Sequence, residues 1–155
     1  MRYILIFIFL GMAGLAQADM PDSREGWAIH PTALNFEDLV SATRAAISTN
    51  GLAVVTQAGP TDAAAARGIT VPGNRIIGAF NNDFAVRILA LNTEAMIEAP
   101  IRFYVTENSD GTATLSYKTP SFVFAPYLEA GGDALAQIAD ELDDVFADVA
   151  ADAVQ

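Results

Sequence analysis

The sequence has no cysteine among its 155 residues, which excludes disulfides, cysteine-ligated zinc, thiol nucleophiles and covalently attached c-type haem. It is also poor in basic residues, with 8 Lys+Arg against 19 Asp+Glu and a formal net charge of -11. Such a charge repels phosphate backbones, so a nucleic-acid binder that works through its overall field is excluded. The length suits one domain with its own core and is too short for two.

Only the N-terminus carries a long apolar run. Arg2 precedes a charge-free segment, Tyr3–Leu15, which is too short to span a bilayer, and Ala16-Gln17-Ala18 has the small-x-small pattern of a cleavage site. We therefore expect residues 1–18 to be a secretory signal peptide, with an uncleaved anchor helix as the weaker interpretation. We therefore expect the protein to be periplasmic or secreted and to have no membrane contact once the signal peptide has been cleaved. No cysteine follows the run, which excludes a lipid anchor.

The rest of the chain predicts a single α+β domain over residues 27–151, after a disordered leader over residues 19–26. Helical and strand patterns mix, and a hairpin lies near the end of the chain. We expect a two-layer sandwich in which a small mixed or antiparallel sheet packs against helices and which ends in an amphipathic C-terminal helix. The predicted strands are Trp27–His30, Leu52–Gln57, Arg75–Phe80, Ile101–Glu107 and Thr112–Tyr117.

The first helix has clear ends. Asn35 is a good N-cap, and Asn50-Gly51 is a stop at which glycine can take the left-handed conformation. Apolar side chains recur between these ends at helical spacing. A second, short helix is expected over residues 61–67, where alanines follow Thr61-Asp62.

The hydrophobic pattern of the hairpin selects its loop. A two-residue Asp110-Gly111 turn would mix apolar and polar side chains on each face, whereas a three-residue Ser109-Asp110-Gly111 loop gives one apolar face. That loop predicts a type I turn followed by a left-handed Gly111. The apolar face would then contain Ile101, Phe103, Val105, Ala113, Leu115 and Tyr117.

Three further segments follow from composition. The cluster Asn81-Asn82-Asp83 predicts a helix start, capped by Asn82 or Asp83, and the helix after it is apolar nearly all round, which is typical of burial. Residues 120–126 form an apolar connector. After a break at Gly131-Gly132, Asp133 would cap the last helix, whose apolar stripe contains Leu135, Ile138, Leu142, Val145, Phe146 and Val149.

From about Asn35 to Val149 the chain resembles the bacterial and archaeal Domain of Unknown Function 302 family. The resemblance rests on three blocks. The first is the capped helix that ends at Asn50-Gly51, together with residues 52–55, and the second is the segment Pro72–Asn82. The third comprises residues 101–105, the Asp110-Gly111 turn and Leu115–Pro120. The last is the most specific, because it is similar to the Ser-Tyr-x-x-Pro ending of the family. The resemblance implies a compact α+β domain and a possible homodimer, and it implies no established reaction.

The chain departs from the family pattern at two places. Many members have an Asp-His pair after the strand that corresponds to Leu52–Gln57, but here Gln57-Ala58-Gly59-Pro60 stands there. The Gly-Asn-Pro ending of the next strand is replaced by Asn81-Asn82-Asp83. Chemistry that depends on the family histidine is therefore not expected here.

The candidate ligand-binding residues lie after two predicted strands. Helix starts offer free N–H groups, and ligands gather beyond the carboxyl ends of strands. This reasoning selects Asn81, Asn82 and Asp83 in one cluster and Tyr117, Lys118 and Thr119 in the other. Simple capping is the alternative role for the first cluster. The only histidine, His30, is a weak candidate for catalysis or for metal binding with Met20.

Three functions remain open at this point. The leading hypothesis is an exported, non-enzymatic binding or interaction module for an unidentified small molecule or protein, without a cofactor or metal. The second is a cofactor-free acid/base enzyme that uses Asp83, Tyr117 or Lys118. The third is a docking protein that uses the acidic face of the C-terminal helix, where a solvated face is the simpler interpretation. That face contains Asp140, Glu141, Asp143, Asp144, Asp148 and Asp152.

We expect the exported protein to begin at Asp19, because the cleavage pattern ends at Ala18. N-terminal sequencing of protein recovered from the periplasm or the medium checks this. Recovery of a chain that still begins at Met1 in the membrane fraction would instead support the anchor helix.

Overall fold

The computed structural model describes residues 20–155, and the predicted signal peptide lies outside them. The strands are β1 (Trp27–Pro31), β2 (Ala53–Ala58), β3 (Asn74–Phe80), β4 (Ile101–Glu107) and β5 (Ala113–Lys118). The helices are α1 (Phe36–Thr49), α2 (Thr61–Ala65), α3 (Asn82–Leu91), α4 (Pro120–Phe124) and α5 (Leu128–Ala153). Two short 3₁₀ helices cover Glu94–Glu98 and Ala125–Tyr127.

The five strands form one antiparallel sheet in the order β1-β5-β4-β3-β2. Helices α1 and α5 contact each other, and α1 also contacts β3, β4 and β5. One face of the sheet is therefore covered by helices, which confirms the predicted two-layer α+β class. Neither α5 nor any other helix within residues 20–155 combines the length and apolarity that a bilayer crossing requires.

The β4–β5 hairpin has the register that its hydrophobic pattern predicts. Phe103 pairs with Tyr117 and Val105 pairs with Leu115. The N–H of Asn108 donates to the carbonyl oxygen of Thr112 at 2.8 Å, which leaves a three-residue loop, and Gly111 has φ +83°. The apolar residues of both strands consequently share one buried face, called the inner face below, which consists of Ile101, Phe103, Val105, Ala113, Leu115 and Tyr117.

The ends of α1 are also as predicted. The side chain of Asn35 accepts a hydrogen bond from the N–H of Asp38 at 3.0 Å, and Gly51 has φ +76° just after the helix. The side chains that α1 buries against the sheet and α5 include Phe36, Leu39, Val40, Thr43 and Ile47.

Aromatic stacking joins α5 to the inner face. The ring of Phe146 lies 4.5 Å from the ring of Phe103, nearly parallel to it, and 5.5 Å from the ring of Tyr117. The predicted apolar stripe of α5 therefore packs on the hairpin, and only Val145 within it is partly exposed.

Three local expectations differ from the structure. Residues 120–124 are helical rather than a connector, because Thr119 caps α4 and Pro120 occupies its first turn. The predicted break in α5 is present as a kink at Gly132 (φ +64°), but the chain is already helical before it, from Leu128, which was not expected. Helix α3 is not buried all round, since Val86 is 57% exposed and only Ala85 and Ile88 are buried in it.

We expect Phe146→Ala to lower the free energy of unfolding by about 3–5 kcal/mol, because it removes a stacked ring that is 1% exposed. Urea denaturation of the mature protein measures the change. Val86→Ala is the matched control on an exposed helical position and should stay within about 0.5 kcal/mol of wild type. Equal losses for the two variants would contradict the packing of α5 on the hairpin.

Candidate functional site

The second face of the sheet, called the outer face below, carries the side chains that alternate with the inner face. On β4 these are Arg102 and Tyr104, and on β5 they are Ser116 and Lys118. Trp27 on β1 pairs with Lys118, and Ile76 on β3 pairs with Tyr104, so both belong to the same face. Helices α1 and α5 both pack on the inner face, so neither of them covers the outer face.

A cleft of about 590 Å³ lies where the outer face meets α4 and the 3₁₀ helix that follows it. We call it the outer cleft. Most of its surface is apolar or aromatic, with a few polar and charged groups among these side chains. It is lined by Trp27, Asn74, Ile76, Glu98, Ile101, Arg102, Tyr104, Tyr117, Lys118, Phe122, Val123, Ala125 and Pro126.

The wall formed by α4 is fixed at several points. The N–H of Ser121 donates to the carboxylate of Asp143 on α5 at 2.9 Å, and the N–H of Thr119 donates to the carbonyl oxygen of Gly26 at 2.9 Å. The ring of Phe122 occupies the space beside Gly26, where an added Cβ would lie 2.1 Å from it. Glycine at position 26, with φ +71°, is therefore what allows Phe122 to close this end of the cleft.

Polar and cation–π contacts orient several side chains of the cleft. Asn74 donates from its amide nitrogen to the hydroxyl oxygen of Tyr104. The hydroxyl of Tyr127 donates to Glu98 at 2.7 Å, and this bond raises the pKa of Tyr127. The guanidinium of Arg24 lies 5.0 Å above the ring of Trp27, a cation–π contact that restrains the indole.

Two cations of the cleft have no acidic partner. Among residues 20–155 the ion pairs within 4.0 Å are Arg75–Asp62 and Arg87–Glu141. Neither Arg102 nor Lys118 takes part in one, although acidic residues outnumber basic ones throughout the chain. The cleft lining therefore holds two cations that form no ion pair within residues 20–155, together with one carboxylate, Glu98, beside aromatic side chains.

The first predicted cluster, Asn81-Asn82-Asp83, lies at the start of α3 and lines no part of the outer cleft. Asn81, rather than Asn82 or Asp83, caps the helix, accepting from the N–H of Asp83 at 2.8 Å and donating to the carbonyl oxygen of Gly51 at 2.9 Å. Asn82 and Asp83 are exposed. A small cavity of about 30 Å³ is lined by Asn81 but not by Asn82 or Asp83.

The second predicted cluster is divided between the two faces. Both Tyr117 and Lys118 line the outer cleft, but Lys118 belongs to the outer face, whereas the ring of Tyr117 packs on the inner face against Phe103 and Phe146. Burial and the nearby charge of Asp143 raise the pKa of Tyr117. Thr119 caps α4 through its hydroxyl oxygen.

Of the three groups offered for acid/base chemistry, Tyr117 and Lys118 line the outer cleft and Asp83 does not. Asp83 lies at the start of α3, Tyr117 is 5% exposed in the core, and Lys118 faces the outer cleft. A phenol whose pKa is raised above its usual value of 10.0 stays protonated near neutral pH and is a poor base there.

The acidic face of α5 is partly used within the fold. Glu141 accepts two hydrogen bonds from Arg87, at 2.6 and 2.8 Å, and Asp152 accepts one from Asn50 at 2.9 Å. Asp143 holds α4, and Asp140, Asp144 and Asp148 are exposed. Within residues 20–155 no group of three or more His, Asp or Glu side chains is placed to hold a metal ion.

Sequence reasoning missed Trp27, Arg102, Tyr104 and Phe122 as site residues. The hairpin register already places Arg102, Tyr104 and Lys118 on one face, so strand alternation was the available signal. Phe122 carried no such signal, because its position depends on how α4 folds back toward Gly26.

These features define a two-layer α+β domain with helices on one face of its sheet and a cleft on the other. The family described as "Domain of unknown function DUF302" matches residues 29–152, and the chain belongs to this family. The family resemblance seen in the sequence is thus confirmed.

The fold is also seen in a solved structure of another protein. The crystal structure of an uncharacterized conserved DUF302 protein from Bacillus stearothermophilus aligns with a TM-score of 0.73 and 16% sequence identity. The alignment covers 85% of this chain and 100% of that chain. Among curated proteins, none matches the sequence significantly.

His30 generates a prediction about pH. It stacks on Tyr117 at 5.9 Å, its Nε2 atom is buried without a hydrogen-bond partner, and burial lowers its pKa below 6.5. As the pH falls through about 6.5, the unfolded state binds a proton before the folded state does, so stability is lost. Urea denaturation at about pH 8 and about pH 5.5 should show this loss.

His30→Phe serves as the comparison, since it keeps an aromatic ring on Tyr117 and cannot take up a proton. The carboxylates contribute equally to the pH dependence of both proteins, and His30 contributes only in wild type. The variant should therefore lose less stability than wild type over the same pH interval. An identical pH dependence for the two proteins would contradict the role given to His30.

Proposed function

We propose that the protein is an exported, non-enzymatic binding module, periplasmic or secreted, that holds a small molecule in the outer cleft. The observation that carries the proposal is the cleft itself, with its volume of about 590 Å³ and its aromatic lining. Small-molecule sites typically measure ~300–1,000 Å³ and combine apolar walls with a few polar groups. Its side chains are held by contacts that need no ligand, as the bonds of Asn74, Glu98 and Ser121 illustrate.

The arrangement of the titratable groups supports binding over acid/base catalysis. Asp83 lies outside the cleft, the Tyr117 ring packs on Phe146 in the core, and the Glu98 carboxylate already accepts a hydrogen bond from Tyr127. The signal-like segment over residues 1–18 supports export. A binding site on the outer face also leaves the inner face free to pack on α1 and α5.

The cleft can be tested with the neutral aromatic probe phenylnaphthylamine. Trp27 is the only tryptophan and lines the cleft, so its emission should be quenched as the probe binds. Ala125→Phe should weaken binding about tenfold or more, because a benzyl group in place of a methyl fills cleft volume. Titration of the mature protein, followed by Trp27 and probe fluorescence, measures both effects.

Ala45→Phe is the matched control, because Ala45 is exposed on α1 and lines no part of the cleft. It should bind the probe as wild type does. The proposal would be wrong if Ala125→Phe, folded normally by circular dichroism, also retained wild-type binding.

A further inference from the structure

The pairing of Arg102 and Lys118 carries an inference about the ligand. Phe103 pairs with Tyr117, so the same register places Arg102 opposite Lys118 on the outer face. Like charges in opposite positions of neighbouring strands destabilise a sheet. Both side chains line the outer cleft, and neither has a carboxylate oxygen within 4.0 Å among residues 20–155.

We propose that the outer cleft binds a small organic carboxylate whose charged group lies between Arg102 and Lys118. The inference rests on the proposed function of the cleft and adds the class of ligand. An arginine fork can donate two parallel hydrogen bonds to a carboxylate, and a neighbouring ammonium adds a third donor. A bound carboxylate would also relieve the repulsion between the two cations.

The rest of the cleft indicates an apolar body for this ligand. Trp27 lies beside Lys118 on β1, Phe122 closes the adjacent wall, and Ile76 lies on the floor beside Tyr104. A free inorganic anion would leave these surfaces uncovered. A ring or a short chain attached to the carboxylate would bury them and gain from their removal from water.

Glu98 is the one acidic side chain in the lining, and its environment is compatible with an anionic ligand. Its carboxylate accepts the hydrogen bond from Tyr127 at 2.7 Å, and this bond holds the carboxylate at the wall of the cleft. The guanidinium of Arg24 lies 5.0 Å over the Trp27 ring and adds positive charge beside that part of the cleft. The groups around the cleft thus favour an anion despite the net charge of -11.

Two probes with the same naphthyl body separate charge from shape. Naphthylacetate carries a carboxylate, and naphthylacetamide is its neutral amide. Isothermal titration calorimetry of the mature protein should show the carboxylate binding about tenfold or more tightly than the amide. The double variant Arg102→Gln, Lys118→Gln should remove this preference, so that the carboxylate binds no more tightly than the amide.

Two controls separate binding from structure. Arg44→Gln removes a positive charge from an exposed position on α1 and should leave both affinities unchanged. The unliganded double variant should unfold in urea at the same or higher concentration than wild type, because it removes like-charge repulsion.

Equal binding of amide and carboxylate by wild type, or a preference that survives in the double variant, would overturn the carboxylate assignment and leave the cleft intact as a binding site. Inorganic phosphate binding as tightly as naphthylacetate would overturn the apolar body of the ligand. Failure of wild type to bind either naphthyl probe would also overturn the assignment, whereas the proposed function depends on the separate result with phenylnaphthylamine and Ala125→Phe.

Discussion

Side-chain alternation along the β4–β5 hairpin is the constraint on which both the core and the cleft depend. The register that pairs Phe103 with Tyr117 turns these rings toward Phe146 on α5. It necessarily turns Arg102 and Lys118 to the other face. A slip of one residue in either strand would move the cation of that strand to the inner face and its core ring, Phe103 or Tyr117, to the outer face. Fold and candidate site are therefore two consequences of one strand pairing.

Features set by local interactions could be predicted from the sequence. Asn35 caps α1 through a bond to a residue three positions away, and Gly111 supplies a backbone angle that its loop requires. The hairpin register depends on contacts between residues farther apart in the chain, but the hydrophobic pattern of the two adjacent strands is sufficient to predict it. Such signals were sufficient for the two-layer class and for most element boundaries.

The outer cleft could not be predicted in the same way, because one of its walls is made by tertiary contacts. The Thr119-Pro120 pair was a readable helix start, but nothing local places Phe122 against Gly26 or Ser121 against Asp143. The burial of α3 was overestimated for a related reason. Its composition is apolar nearly all round, yet Arg87 meets Glu141 of α5 at an exposed position and Val86 faces solvent.

The contrast between the charge of the whole chain and the charge of the cleft has a physical consequence for selectivity. Interactions between exposed charges are largely screened beyond about 8 Å at physiological ionic strength. Acidic residues that lie farther than this from Arg102 and Lys118 therefore cancel little of the local potential at the two cations. A small monoanion that enters the cleft interacts mainly with the cations. A polyanion, which must also lie along the acidic surface, is repelled, so the net charge acts against extended ligands while the cleft remains open to small ones.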